Sequence, residues 1–243
     1  EHSPFSNIPS ILNKEFYETS SSQRRMYVLN QLQPSSTSYN MTGAFVLRPK
    51  SEINLIKIES AFIELVKRHE SLRTNFKLNN ENDLVQLVHK QIQFKIQELS
   101  ETSNLDETIK TFIKPFNLEN DVLFRVGVSK IADSQNYLLI FDIHHIISDG
   151  TSMGIIIADF VNLYDNMPLN ELVIQYKDYA HWHNELSNSA YNKQLESFWI
   201  NEFKLDVPIL ELPSDYKRPL LKKGTGSNFS FEINQEITNE IKS

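Results

Sequence analysis

The sequence predicts an α/β fold, because helical and strand patterns alternate along most of its length. The clearest helix is expected at 54–69, where apolar residues recur every three or four positions on one face and charged residues lie elsewhere. The clearest strands are expected at 123–131 and 137–144. The second is almost unbroken apolar sequence, YLLIFDI, which is typical of a strand buried on both faces.

The remaining elements follow from the same two periodicities, taken in chain order. Asn54 is a suitable N-cap for the clearest helix. Pro115 interrupts the next predicted helix, 105–116. The other predicted helices are 20–32, 105–116, 152–164, 176–186 and 191–203, and the other predicted strands are 43–47, 72–78, 84–88 and 92–99.

The two ends of the chain differ from the middle. Residues 1–14 hold two prolines and little periodicity, so we expect a linker there. Proline, glycine and charge become frequent at 208–226, which predicts a connector, and the pattern NFSFEI at 228–233 predicts a strand. Because the chain begins with Glu1 and not with Met, we expect it to have been cut from a longer protein.

Composition excludes several classes of protein. Hydrophobic residues make up 40% and charged residues 23%, which is globular, and the net charge of −7 argues against a nucleic-acid-binding face. The absence of cysteine excludes disulfides, thiolate zinc sites and cysteine nucleophiles. No apolar run approaches the roughly 18 residues of a membrane span, and the start of the chain lacks a signal-peptide pattern. We therefore expect a cytoplasmic protein.

The chemistry is concentrated at 141–154, F-D-I-H-H-I-I-S-D-G-T-S-M-G. A buried strand ends in His144 and His145, and Asp149 and Gly150 precede a helix. Neighbouring strand residues point to opposite faces, so one histidine is expected to enter a site while the other packs behind it. Imidazole titrates near pH 6.5 and can exchange a proton at neutral pH, while Gly150 would permit a sharp turn.

Three other interpretations of this segment remain open. The histidine pair could be structural, or it could bind a metal, although adjacent residues facing opposite ways make poor joint ligands. Residues 150–154 also match G-x-S-x-G, the nucleophile elbow of serine hydrolases, with Ser152 as nucleophile. That motif requires the serine to follow the strand directly. It also requires a histidine later in the chain, and only His181 and His183 are available there.

Five ordered motifs carry a resemblance to a known family. The segment H-H-I-I-S-D-G at 144–150 resembles the H-H-x-x-x-D-G signature of the condensation-domain superfamily, which is related in fold to chloramphenicol acetyltransferase. The other four are S-S-S-Q-R-R-M-Y at 20–27, where Ser22 replaces the usual alanine, R-H-E-S-L-R-T-N-F at 68–76, Y-K-D-Y-A-H-W at 176–182 and L-P-S-D-Y-K-R-P at 212–219. The resemblance covers the chain from Tyr17 onward.

The resemblance implies a condensation domain of a non-ribosomal peptide synthetase. Such domains form an amide bond between aminoacyl or peptidyl thioesters carried on phosphopantetheine arms, and no cofactor or metal is expected in the domain itself. His145 corresponds to the family's acyl-transfer histidine. His144, Asp149 and Gly150 are expected to support it, with Asp149 turned away from the substrate and paired with an arginine, for which Arg73 is the candidate.

The resemblance also implies a two-layer α/β sandwich lobe, like chloramphenicol acetyltransferase, and a second lobe across a tunnel. Residues 15–186 are expected to form the first lobe and 187–243 a helix, the connector and the start of the second lobe, so the chain alone is expected to be inactive. The expected partners are that second lobe, an adjacent adenylation domain, and upstream and downstream peptidyl carrier domains. An epimerisation domain and a non-catalytic docking lobe remain alternatives; a heterocyclisation domain does not, because both histidines are present.

Overall fold

A computed structural model of the chain describes residues 8–49, 53–205, 207–217 and 229–243. It confirms the predicted α/β class. Contacts divide the chain into a first unit, Glu1–Lys204, and a second unit, Leu205–Ser243. Helices of the described ranges are all too short or too polar to cross a lipid bilayer.

The first unit holds two sheets and the helices that cover them. Its strands are β1 (Tyr17–Glu18), β2 (Asn40–Leu47), β3 (Thr74–Leu78), β4 (Leu84–Val88), β5 (Gln97–Thr102), β6 (Phe124–Ile131) and β7 (Tyr137–His144). Its helices are α1 (Ser21–Leu32), α2 (Leu55–Arg68), α3 (Leu105–Phe112), α4 (Gly150–Tyr164), α5 (Tyr176–Ser187) and α6 (Ala190–Glu202), with a 3-10 helix at Glu70–Arg73.

The larger sheet has the order β2-β7-β6-β5, in which β5 and β6 are parallel and the other pairs antiparallel. The smaller sheet has the order β1-β4-β3 and is antiparallel. Because β7 lies inside the larger sheet, its end is fixed from both sides. Asn40 of β2 lies opposite His144, and both Thr42 of β2 and Arg125 of β6 lie opposite Asp142.

Helices cover both faces of the larger sheet, which explains the apolar run in β7. Leu139, Phe141 and Ile143 join the main core with α2 and α4. Leu138 and Ile140, which alternate with them, pack against Phe112 of α3 in a second core. By the same alternation, Asp142 and His144 lie on the α3 side of the sheet.

Side-chain caps begin two of the helices. Asn54 caps α2 as predicted, accepting a hydrogen bond from the Lys57 N–H at 2.9 Å. In the 20–27 motif, Ser20 and Gln23 form a capping box that begins α1: Ser20 Oγ accepts from Gln23 N at 3.2 Å, and Gln23 Oε1 accepts from Ser20 N at 2.9 Å.

Some predicted boundaries are wrong. The predicted strand 92–99 is β5, Gln97–Thr102, because the preceding segment packs on α2: the Ile96 N–H donates to Glu59 Oε2 at 3.0 Å. The predicted helix 105–116 ends at Phe112, before the proline. Leu72 and Arg73, predicted to begin a strand, belong to the 3-10 helix.

The second unit also differs from expectation. Residues 229–233 form no strand, although one was predicted at 228–233. They precede an unpredicted helix, α7 (Gln235–Lys242), which Asn234 caps by accepting from the Ile237 N–H at 2.9 Å. The connector predicted at 208–226 lies partly outside the described residues; those described, 208–217, have no helix or strand.

Gly43 in β2 is required by the ring of Phe141 on the neighbouring strand. A β-carbon at Gly43 would lie 2.0 Å from Phe141 Cζ. We expect Gly43→Ala to lower the free energy of unfolding by about 1–3 kcal/mol through overpacking, measured by urea denaturation. Adding Phe141→Leu should return part of that loss. A wild-type midpoint for Gly43→Ala alone would contradict the described packing.

Candidate active site

The two histidines at the end of β7 occupy different environments. His144, the last residue of the strand, has a relative exposure of only 2%, whereas His145 is exposed. The loop is held on both sides by backbone hydrogen bonds, from His144 N to Leu123 O at 3.0 Å and from His145 N to Tyr39 O at 2.8 Å. The strand geometry therefore separates the pair as the sequence predicts.

The ring of His145 is oriented by its own loop. Nδ1 lies 2.8 Å from the carbonyl oxygen of Ser148. A carbonyl oxygen can only accept, so Nδ1 carries a proton and donates it. In the neutral ring the lone pair is therefore on Nε2, which is the arrangement that a general base needs.

His144 has a supporting role. Its Nδ1 accepts a hydrogen bond from the Ile146 N–H at 3.1 Å, and its ring packs at 89° against the ring of Phe116, 6.1 Å away. Burial, and to a lesser extent the neighbouring His145, lower the pKa of His144 to about 4. His144 is therefore neutral at physiological pH and serves as a fixed acceptor for the loop.

His145 opens onto a cavity of about 540 Å³. Four parts of the first unit surround it: α1, the 3-10 helix, the loop 145–149 with the first turn of α4, and α5. The lining residues are Ser22, Gln23, Met26, Ser71, His145, Ile146, Ile147, Ser148, Asp149, Ser152, Tyr176 and Tyr179.

Two of the sequence motifs bind each other and hold the cavity walls. Glu70 of the 68–76 motif forms an ion pair with Lys177 of the 176–182 motif, and both side chains are largely buried. The Glu70 N–H donates to Gln175 Oε1 at 3.0 Å, and Gln175 Nε2 donates to the Arg68 carbonyl at 3.0 Å. These contacts fix the 3-10 helix, which carries Ser71, against the start of α5.

The same motif also fixes α4. Arg68 Nε donates to Asp159 Oδ2 at 2.9 Å, and His69 Nε2 lies 2.8 Å from the same oxygen. Asp159 projects from the middle of α4, whose first turn borders the cavity. The 68–76 motif therefore ties together the two helices, α4 and α5, on either side of the site.

The predicted ion pair between Asp149 and Arg73 is wrong. Arg73 turns toward β4, where it donates to the His89 carbonyl and lies 3.5 Å from Glu70 Oε1. Asp149 instead caps α4, accepting from Ser152 N at 2.7 Å and Ser152 Oγ at 2.6 Å. The hydrogen bond from the Ser152 hydroxyl is the main reason that the pKa of Asp149 is lowered. Asp149 lines the cavity and does not point away from it.

Gly150 does not form the sharp turn that we predicted for it. Its φ is not positive, and it is the first residue of α4. A β-carbon there would meet no atom within 4 Å. The sharp-turn explanation is therefore wrong, and a side chain at position 150 would extend into open space.

Among the described residues, Ser152 has no hydrogen bond to a histidine. Its hydroxyl donates to Asp149 from the first turn of α4. His181 lies 3.4 Å from Glu18 and 3.7 Å from Glu185, and His183 packs on Tyr179 with ring centroids 5.6 Å apart. Among the residues that the structure describes, no group of three or more His, Asp or Glu side chains could hold a metal ion.

Sequence reasoning missed the tyrosines of α5. Tyr176 and Tyr179 line the cavity, and the Tyr176 hydroxyl lies 3.0 Å from Ser20 Oγ. Burial raises the pKa of Tyr176. Their i, i+3 spacing within the 176–182 motif places both on one helix face, a signal that could have identified them.

The buried His144 predicts a specific pH dependence of stability. Its pKa falls from 6.5 to about 4 on folding, so between these pH values the unfolded chain binds a proton that the native state does not. The neutral, buried His144 therefore stabilises the native state fully above pH 6.5. As the pH falls toward 4 the free energy of unfolding should decrease by about 3 kcal/mol in total. Urea unfolding over that range should show it.

His144→Asn is the matched control, because asparagine offers an acceptor to the Ile146 N–H but does not titrate. The free energy of unfolding of this variant should fall less steeply with decreasing pH. Equal slopes for the two proteins would show that His144 titrates normally in the native state.

Comparison with known proteins assigns the chain to a family. The family model described as "Condensation domain" matches residues 13–243. Bacitracin synthase 3 of Bacillus licheniformis is 37% identical over 99% of this chain, and the match covers 4% of that protein. Gramicidin S synthase 2 of Brevibacillus brevis is 38% identical over 96% of this chain, covering 5% of that protein.

Solved structures share the fold. The X-domain of teicoplanin biosynthesis, solved with OxyB, superposes with a TM-score of 0.72 at 23% identity, covering 88% of this chain and 49% of that one. The starter condensation domain of rhizomide synthetase RzmA gives a TM-score of 0.68 at 20% identity, covering 78% and 48%. The chain thus spans about half of these structures and a small part of the curated relatives, and it belongs to the condensation-domain family of non-ribosomal peptide synthetases.

Proposed function

We propose that this chain supplies the histidine-bearing half of a domain that joins two carrier-bound thioesters through an amide bond. The observation that carries the proposal is the orientation of His145. Its Nδ1–H is held by the Ser148 carbonyl at 2.8 Å, which leaves a basic Nε2 on a side chain that borders an open cavity.

In the proposed reaction, the amine of the acceptor attacks the thioester carbonyl of the donor. The carbon–nitrogen bond forms, the carbon–sulfur bond breaks, and the donor arm leaves as a thiolate. His145 Nε2 takes the proton lost by the amine and returns it to the departing sulfur. A positioned base contributes about 10²–10⁴ in rate, and holding both tethered reactants together contributes as much or more.

The neighbouring residues are proposed to support this step without taking part in proton transfer. His144 fixes the loop through the Ile146 N–H, and Asp149 fixes the first turn of α4 through Ser152. Gly150 leaves open space at that turn, and its backbone N–H is a candidate donor to the developing oxyanion. Arg73 is proposed to act more remotely, by holding Glu70 and the end of β4.

The partners are proposed from the family and from the exposed surface of the first unit. We propose that 15–186 forms the first lobe and that 187–243 leads into a second lobe. Upstream and downstream carrier domains are proposed to deliver the phosphopantetheine-bound substrates. An adenylation domain is proposed to lie next to this domain in the same protein, which is proposed to act in the cytoplasm. Apolar residues of β2 and α4 are exposed in this chain, as expected if a second lobe covers them; they are Phe45, Val46, Ile155, Ile157 and Val161. The domain itself is proposed to bind no further cofactor.

Substitution of His145 tests the proposed role directly. In the complete domain that carries this sequence, His145→Ala should lower the rate of dipeptidyl-thioester formation by about 10²-fold or more, because the general base is lost. The assay uses loaded donor and acceptor carrier domains and mass spectrometry. His181→Ala is the control, because His181 is not among the cavity-lining residues and lies instead against Glu18 and Glu185. Its turnover should stay close to wild type, and unchanged turnover in His145→Ala would remove His145 from the mechanism.

The chain alone should be inactive. One half of the site supplies the base but not the opposite wall that aligns the acceptor arm within about 3–3.5 Å of the thioester. An open face also leaves the reacting groups in water, where positioned dipoles act weakly. The same assay should therefore detect no product with the 243-residue chain. Robust product would refute the half-site interpretation.

A further inference from the structure

A polar cluster surrounds the buried carboxylate of Asp142 under the end of β7, on the α3 side of the larger sheet. It consists of Asn40, Thr42, Arg125 and Asp142. Asp142 is fully buried and accepts hydrogen bonds from Asn40 Nδ2 at 2.8 Å and Thr42 Oγ1 at 3.1 Å. Arg125 Nε lies 3.8 Å from Asp142 Oδ2. Burial raises the pKa of Asp142, and these hydrogen bonds and the guanidinium oppose that effect.

Arg125 also holds a buried aromatic ring. Its guanidinium lies over the ring of Phe116, 3.7 Å from the centroid, and Nη2 donates to the Pro115 carbonyl at 3.2 Å. Phe116 is itself buried, with a relative exposure of 2%. A planar guanidinium can stack on a ring and donate hydrogen bonds at its edge at the same time, which a lysine ammonium cannot.

The Phe116 ring leads to the active-site loop. Its other neighbour is the His144 ring, 6.1 Å away at 89°, and His144 Nδ1 accepts from the Ile146 N–H at 3.1 Å. His145 lies between His144 and Ile146 in sequence, and its ring is held by the Ser148 carbonyl of the same loop. A continuous series of contacts thus runs from Asp142 through Arg125, Phe116 and His144 to the loop of His145.

From this geometry we infer that Arg125 is a positioning residue for His145, acting through Phe116 and His144 from the opposite side of the sheet. The inference rests on the proposed function of His145. Arg125, Phe116 and His144 do not touch the cavity, because none of them is among its lining residues. The effect of Arg125 on turnover is therefore an effect on where the histidine lies, not on substrate binding.

Two substitutions test the inference in the complete domain. Arg125→Lys retains the charge but removes the planar stack, and Phe116→Leu removes the ring while keeping an apolar side chain. Each should lower kcat by about tenfold, as a sub-ångström displacement of the base would, with KM for both carrier substrates within about twofold. The Ile146 amide should exchange with solvent about tenfold faster in each variant, since its acceptor is no longer fixed.

The double variant separates a relay from two independent effects. If Arg125 acts through Phe116, Arg125→Lys combined with Phe116→Leu should lower kcat no further than either substitution alone. Val128→Ala is the control for stability, because Val128 lies in the core on the opposite face of the same sheet. It should lower the unfolding midpoint but leave kcat and Ile146 exchange close to wild type.

Each outcome supports or overturns the inference. Wild-type kcat and Ile146 exchange in both single variants would overturn it, and so would multiplicative losses in the double variant or an equal loss of kcat in Val128→Ala. Amide exchange needs no turnover, so it tests Arg125 even in a domain that forms no product. If His145→Ala left turnover unchanged while Arg125→Lys still accelerated Ile146 exchange, the proposed function would fail and the structural relay would stand.

Discussion

The alternation of side chains along β7 is the constraint on which the rest of the structure depends. Odd-numbered residues fill the core with α2 and α4, and even-numbered residues face α3, so a shift of one position would exchange the two sets. The strand lies between β2 and β6, which fix its register along its length. Burying His144 and exposing His145 is therefore part of the same arrangement that packs the core.

Charged contacts between distant segments complete the site. Glu70 and Lys177 are separated by 107 positions in sequence, and Arg68 reaches Asp159 across 91. Removing one partner of a largely buried pair leaves the other without compensation, a cost of roughly 3–5 kcal/mol. The motifs at 68–76 and 176–182 thus contact each other through Glu70 and Lys177, although neither motif contains His145.

The sequence predicted those features that depend on periodicity and local chemistry. The apolar run of β7, the cap at Asn54 and the opposite environments of the two histidines all follow from spacing alone. The prediction of an Asp149–Arg73 ion pair was wrong because the direction of a long side chain depends on acceptors that folding brings near. For Arg73 that acceptor is the His89 carbonyl. The contact between Phe116 and Arg125 could not be predicted from the sequence either, since the two residues lie on segments that folding brings together.

The outer edge of β2 has a consequence for handling the chain in solution. β2 is the last strand of its sheet, and its Phe45 and Val46 side chains are 43% and 41% exposed. An open strand edge presents a row of backbone donors and acceptors that can pair with a second molecule, and adjacent apolar side chains strengthen such pairing. Separated from whatever covers this edge, the chain would be prone to self-association, and its solubility would depend on concentration even while its core remained intact.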